Sequence, residues 1–136
     1  MSWEVVLEKV KIRDFPPLTA SKNKLDRKIA LKERLSAEIG KNLPKIQKRT
    51  HEKLLFVDVC FYVHESDEQG KSKKDLDNLL KILFDALSDN MVNGQKPIEG
   101  LGIMKNDSYI YKMKCEKIPV DLDEKQGFDL LISRKN

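Results

Sequence analysis

The stretch Leu54–His64 constrains the fold more than any other part of the chain. Leu55, Val57, Val59, Phe61 and Val63 fill one face of an extended strand, and Leu54, Phe56, Cys60 and Tyr62 nearly fill the other. A strand apolar on both faces belongs in the middle of a sheet, covered on both sides. Asp58 interrupts the second face. A central strand needs neighbours, and three other segments can supply them. Trp3–Ile12 reads as a strand with imperfect alternation, ended by Asp14-Phe15-Pro16-Pro17, because paired prolines cannot continue a ladder. Ser108–Ile118 sets Tyr109, Tyr111, Met113 and Cys115 on one face and Lys112, Lys114 and Glu116 on the other, which predicts a strand with one wet face. Pro119–Gln126 is a turn region, and Phe128–Ser133 a last strand.

Two helices fit between the strands. Leu25, Ile29, Leu31, Leu35 and Ile39 share one arc of a helical wheel, with Thr19 or Ser21 as N-cap and Gly40 and Pro44 closing the helix. Leu76, Leu79, Leu80, Leu83, Phe84 and Leu87 repeat at helical spacing behind Asp75, which sits where an N-cap belongs. Glu65–Lys73 and Asn90–Gly102 read as loops. The order β-α-β-α-β-β predicts a single small α+β domain over residues 1–136, with a mixed sheet. A chain of 136 residues can bury one real core. No apolar stretch approaches the ~20 residues that span a bilayer. Met1-Ser2-Trp3-Glu4 carries neither a cationic leader nor a signal-peptide core, and two cysteines make a disulfide framework unexpected, so a cytoplasmic, non-membrane chain is expected. Cys60 and Cys115 are expected as buried thiols on strands, and Tyr109 and Tyr111 as core residues.

Charge is unevenly spread. Met1–Lys53 holds 14 Lys/Arg against 7 Asp/Glu, a net of +7, whereas Leu54–Asn136 holds 12 against 15, a net of −3. A basic front half suits a polyanion and an acidic back half can hold cations. The candidate centre lies in the acidic half. Asp75 and Asp77 stand two apart where a loop becomes a helix, a junction at which side chains can converge as mid-helix i, i+2 positions cannot. Asp107 lies just before a strand. Three carboxylates brought together repel unless a cation neutralises them, and oxygen ligands without His or Cys favour Mg²⁺ or Mn²⁺. Lys81 lies one helical turn after Asp77 and shares its face. Each residue taken singly has a plainer reading: Asp75 as an N-cap, Asp77 with Lys81 as an i, i+4 surface pair, and Asp107 as a turn residue between Asn106 and Ser108.

The segment KKDLDNLLKILFDAL followed by NDSYIYKMKCEK resembles the RusA family of Holliday junction resolvases. The family pattern is a basic residue, then Asp-x-Asp-Asn-x-x-Lys on a helix ending near Asp-Ala-Leu, then a loop and an Asp leading into a strand. This chain matches it at Lys74, Asp75, Asp77, Asn78, Lys81, Asp85, Ala86, Leu87, Asp107 and Lys117. Pro16-Pro17 and Ser21-Lys22-Asn23 look like the family's Pro-rich stretch and Ser-x-Asn. The match departs at Asn106-Asp107, where the family often has Asp-Asp, and in the longer loop Asn90–Lys105.

The resemblance implies a RusA-like fold and a Mg²⁺-dependent endodeoxyribonuclease that resolves four-way DNA junctions as a homodimer. Asp75, Asp77 and Asp107 would hold the metal, which activates water and stabilises charge in an in-line displacement. Lys81 would add positive charge at the transition state, and Lys74 would touch a phosphate. With 21 lysines and 5 arginines, DNA binding is expected through shape and charge, with strong salt dependence. Candidate contacts are Lys22, Lys24, Arg27, Lys28, Lys45, Lys48 and Arg49. Two other readings share the residues: a metal-dependent nuclease preferring flaps or other branched DNA, and a non-catalytic basic DNA- or RNA-binding module.

Overall fold

The two-sided strand does lie in the middle of a sheet. In a computed structural model, which describes residues 2–17, 24–68, 75–93 and 96–136, the strands are β1 (Trp3–Arg13), β2 (Leu55–His64), β3 (Asn90–Asn93), β4 (Lys96–Glu99), β5 (Ile110–Val120) and β6 (Gly127–Lys135). Four of them form a sheet in the order β1-β6-β2-β5. β2 runs antiparallel to β6 and parallel to β5, so the sheet is mixed. β3 and β4 pair separately as a short antiparallel hairpin, where the sequence reading expected a loop. Together with the helices this is a small α+β fold.

The helices are α1 (Lys24–Ile39), α2 (Leu43–Thr50) and α3 (Leu76–Leu87). The sequence reading closed the first helix at Gly40 and Pro44. Gly40 does end α1, with φ +62, but the chain then makes one 3₁₀ turn and starts α2. Pro44 sits in the first turn of α2, where its missing N–H has no helical partner to lose. The expected N-caps Thr19 and Ser21 lie outside the described residues.

The central strand is covered on one face only, which corrects the expectation of two. Leu55, Val57, Val59, Phe61 and Val63 are buried, while Phe56, Asp58, Cys60, Tyr62 and His64 are half-buried. Leu35, Ile39, Ile46, Leu79 and Leu83 from the helices join Leu130 and Ile132 on the covered face. Each such side chain contributes roughly 1.5–3 kcal/mol by leaving water. β5 is an edge strand, so its apolar side chains are not core: Tyr111 is 68% exposed and Met113 48%. That overturns the core reading of Tyr111. Cys60 and Cys115 are half-buried, and burial pushes both thiols up, Cys115 to about 11. Among the described residues, no helix is long and apolar enough to cross a membrane.

Candidate metal and nucleic-acid site

The apolar stripe of α3 fixes where its polar residues point. Leu79, Leu80, Leu83 and Leu87 are buried, so Asp77 and Lys81 are turned to solvent, and Asp75 is exposed just ahead of them. Asp75 does occupy the N-cap position, with φ −78 and ψ 140. Its carbonyl oxygen accepts the Leu79 N–H at 3.1 Å, but its side chain makes no capping hydrogen bond. Nor do Asp77 and Lys81 form the i, i+4 ion pair of the plainer reading. Among the described residues, the side chains of Asp75, Asp77, Lys81 and Asp107 make no hydrogen bond or ion pair. They are uncommitted carboxylates and an uncommitted ammonium at a loop-to-helix junction and at a strand entrance.

Asp107 opens a 3₁₀ turn, Asp107–Tyr109, whose N-cap Asn106 accepts the Ser108 N–H at 2.9 Å. The turn delivers the chain into β5, whose first residue, Ile110, pairs with Leu55 at the start of β2. The segment before it is tied to the far end of α3. Leu101 N–H donates to Ala86 O at 2.9 Å, Ile103 N–H donates to Leu87 O at 2.9 Å, and Ser88 bridges Met104. Gly100 permits that approach, because a Cβ there would stand 1.9 Å from Ser88 O. Asp107 therefore belongs with the end of α3, while Asp75 and Asp77 belong with its start. At 1.5 Å per residue the helix separates these ends by about 18 Å. Among the described residues, no group of three His, Cys, Asp or Glu side chains could hold a metal ion. One chain does not gather Asp75, Asp77 and Asp107.

The proposed DNA contacts divide. Lys28 is a correction: it is 2% exposed, and its Nζ lies 2.5 Å from Asp85 Oδ2, joining α1 to α3. A buried, paired ammonium cannot meet a phosphate. Arg49 is half-buried and ion-paired with Glu4, which also meets Arg134 at 3.1 Å, so it ties α2 to β1 and β6. Arg134 in turn donates to Arg49 O at 3.0 Å. Arg27, Lys45 and Lys48 are exposed on α1 and α2. Lys22 and Lys74 lie outside the described residues, as does the side chain of Lys24.

Sequence reasoning missed a polar cluster on the open face of the sheet. Asp129 of β6 is buried, accepts the Tyr62 hydroxyl at 2.8 Å and lies 2.9 Å from Arg13 Nη2 and 3.7 Å from Lys9 Nζ. Its Oδ1 has the Arg13 charge beside it but no hydrogen bond of good geometry. The Arg13 guanidinium also stacks over the Tyr62 ring at 4.2 Å. The hydroxyl's bond to Asp129, with burial second, holds the Tyr62 phenol far above its usual pKa. A cleft of 230 Å³ opens between this cluster and Asp58, Cys60 and Lys114. The one signal in the sequence was Asp129 itself, an acid inside an apolar strand.

No family model matches this sequence, and no curated protein matches it.

Proposed function

We propose that this chain is a divalent-metal-dependent endonuclease acting on branched DNA, with the four-way junction as its preferred substrate and a RusA-like homodimer as its active form. The observation that supports this most is the state of Asp75, Asp77 and Lys81: exposed and unpaired among the described residues, at the loop-to-helix junction of α3. An N-cap acid that does not cap, and an i, i+4 pair that does not form, contribute little to the fold they sit in. Their arrangement suits ligation. Asp75 and Asp77 would hold Mg²⁺ or Mn²⁺ together with Asp107, and Lys81 would neutralise charge on the phosphate. When bound, the metal would supply a lowered-pKa water and charge neutralisation for in-line displacement.

The test is nicking of a labelled four-way junction with and without Mg²⁺, alongside flap and linear duplex. Asp75→Asn is expected to remove cleavage while junction binding persists. Cleavage retained in that variant would sink the assignment. A second reading is favoured by one specific observation, the dispersal of the acids within a single chain. Under it the chain is a basic binding module, and no Mg²⁺-dependent nicking occurs with any substrate.

A further inference from the structure

Of the three tyrosines, two serve the fold and one does not. Tyr62 donates to Asp129 and carries the Arg13 guanidinium over its ring, and Tyr109 is half-buried in the 3₁₀ turn that opens with Asp107. Tyr111 is 68% exposed, and among the described residues its hydroxyl and its ring have no partner. An aromatic ring left in water forfeits one of the largest burial contributions a side chain can make. The register of β5 places it there. Ile110 pairs with Leu55 and Lys112 with Phe56, so Tyr111 has no residue opposite it on β2 and is the extra residue of a bulge. A bulge re-aims the side chain it carries, and bulges gather at sheet edges and beside active sites. This one lies on the edge strand, four residues after Asp107. Four residues span at most about 14 Å, which keeps Tyr111 near that carboxylate.

The surroundings of the ring select its partner. Lys105, Lys112 and Lys114 are exposed before and after it in the chain, and Met113 is 48% exposed beside it. Lysines and Pro119 along β5 protect the edge against pairing with another strand. A protein surface that buried Tyr111 and Met113 would also strip water from these ammonium groups. An unpaired nucleotide instead brings a π face for the ring and phosphates for the lysines. Linear duplex brings the phosphates but keeps its base faces stacked.

We propose that Tyr111 is a stacking platform for an unpaired base of the DNA, next to the phosphate that approaches Asp107. The inference rests on the nuclease reading and deepens it, because it names the feature by which branched DNA is told from linear duplex. A branch point or a flap frees base faces that a duplex keeps covered. Every base has a π face, so Tyr111 adds selectivity for unpaired structure and none for sequence.

The test measures binding in EDTA, without a metal to support cleavage, on a four-way junction, a flap and a linear duplex. Tyr111→Leu keeps apolar bulk and removes the ring, whereas Tyr111→Phe keeps the ring. Tyr111→Leu is expected to weaken junction and flap binding by roughly 5- to 100-fold and to leave duplex binding unchanged. Tyr111→Phe is expected to match the parent on all three. 5-Iododeoxyuridine at an unpaired position of the flap is expected to photocross-link to Tyr111 in the parent and to Tyr111→Phe at the same position, and not to Tyr111→Leu. Equal flap binding by the parent and Tyr111→Leu, an equal loss on duplex, a loss in Tyr111→Phe, or a cross-link that maps elsewhere overturns the platform. Nicking with Mg²⁺ is read separately. A parent that binds flaps through Tyr111 but nicks nothing overturns the nuclease reading and leaves the platform standing. A parent that nicks while Tyr111→Leu binds as it does overturns the platform alone.

Discussion

Lys28 lies in the interior against Asp85, and the two partners are unequally placed. Lys28 is 2% exposed and Asp85 40%. Removing the lysine leaves a carboxylate that water can reach, whereas removing the carboxylate leaves an ammonium with no solvent. Lys28→Met should therefore cost under about 1 kcal/mol, and Asp85→Ala about 3 kcal/mol or more, in urea unfolding. Equal losses would show that the pair acts through packing and not through charge. The sequence presented Lys28 as one of many cations on α1, since helical spacing does not reveal which side faces a second helix that also buries its apolar stripe. Glu4 carries a pH signature of its own. Its bond to Arg134, with Arg49 second, holds the carboxyl below its usual 4.5. A depressed acid contributes in full above its unfolded pKa and loses that contribution as pH falls through the folded value. Thermal melts of Glu4→Gln and the parent should therefore differ at pH 7 and converge as the pH falls below about 4. A constant difference across that range would assign the effect to packing.

Elements built on strong periodicity matched the sequence closely, and those built on tertiary contact did not. α3 spans Leu76–Leu87, the apolar repeat itself, and β2 spans Leu55–His64. α2 escaped notice because Ile46 and Thr50 are its only buried residues, too few to print a period over 8 residues. The hairpin β3–β4 escaped because its pairing is sustained by four residue pairs in a segment rich in turn residues. The single covered face of the sheet was hidden for another reason. Phe56 stacks edge-on to Trp3 with centroids 5.9 Å apart, and the Lys112 ammonium lies over its ring at 4.8 Å, so part-apolar cover replaces a second helical layer. The separation of Asp107 from Asp75 follows from topology, since α3 links the parallel strands β2 and β5 and so starts at one end of them and finishes at the other. Two glycines show how far local and tertiary reasons differ. Gly40 has φ +62 with nothing within 4 Å of a Cβ, whereas a Cβ on Gly100 would meet Ser88 O at 1.9 Å. Gly40→Ala should cost about 1 kcal/mol through backbone strain. Gly100→Ala should cost more, because the segment must leave the end of α3, and should speed hydrogen exchange at Ile103 and Leu101. Equal effects of the two substitutions would remove the argument that Gly100–Met104 is locked onto the helix.

At the scale of the whole molecule the net of +7 in the first 53 residues overstates the field that DNA would meet. Part of that charge is neutralised by acids of the second half of the chain. Lys28 pairs with Asp85, and Arg13 and Lys9 pair with Asp129. Arg27, Lys41, Lys45, Lys48 and Lys53 are exposed, and they lie on or beside α1 and α2. Each lysine that meets a phosphate releases about one counterion, so it adds about 0.9 to the slope of log affinity against log salt. Replacing both Lys45 and Lys48 by Ala should lower that slope by about 2 and weaken junction and duplex binding alike, since lysine contributes no base reading. Lys28→Met should leave the slope unchanged, because its charge never reaches the solvent. A slope that falls with Lys28→Met would show that its charge does reach the DNA, and one that stays fixed when Lys45 and Lys48 are lost would move the DNA surface off α2, the open face of the sheet, where Lys9, Lys112 and Lys114 flank the Tyr62–Asp129 cluster, being the next surface to test.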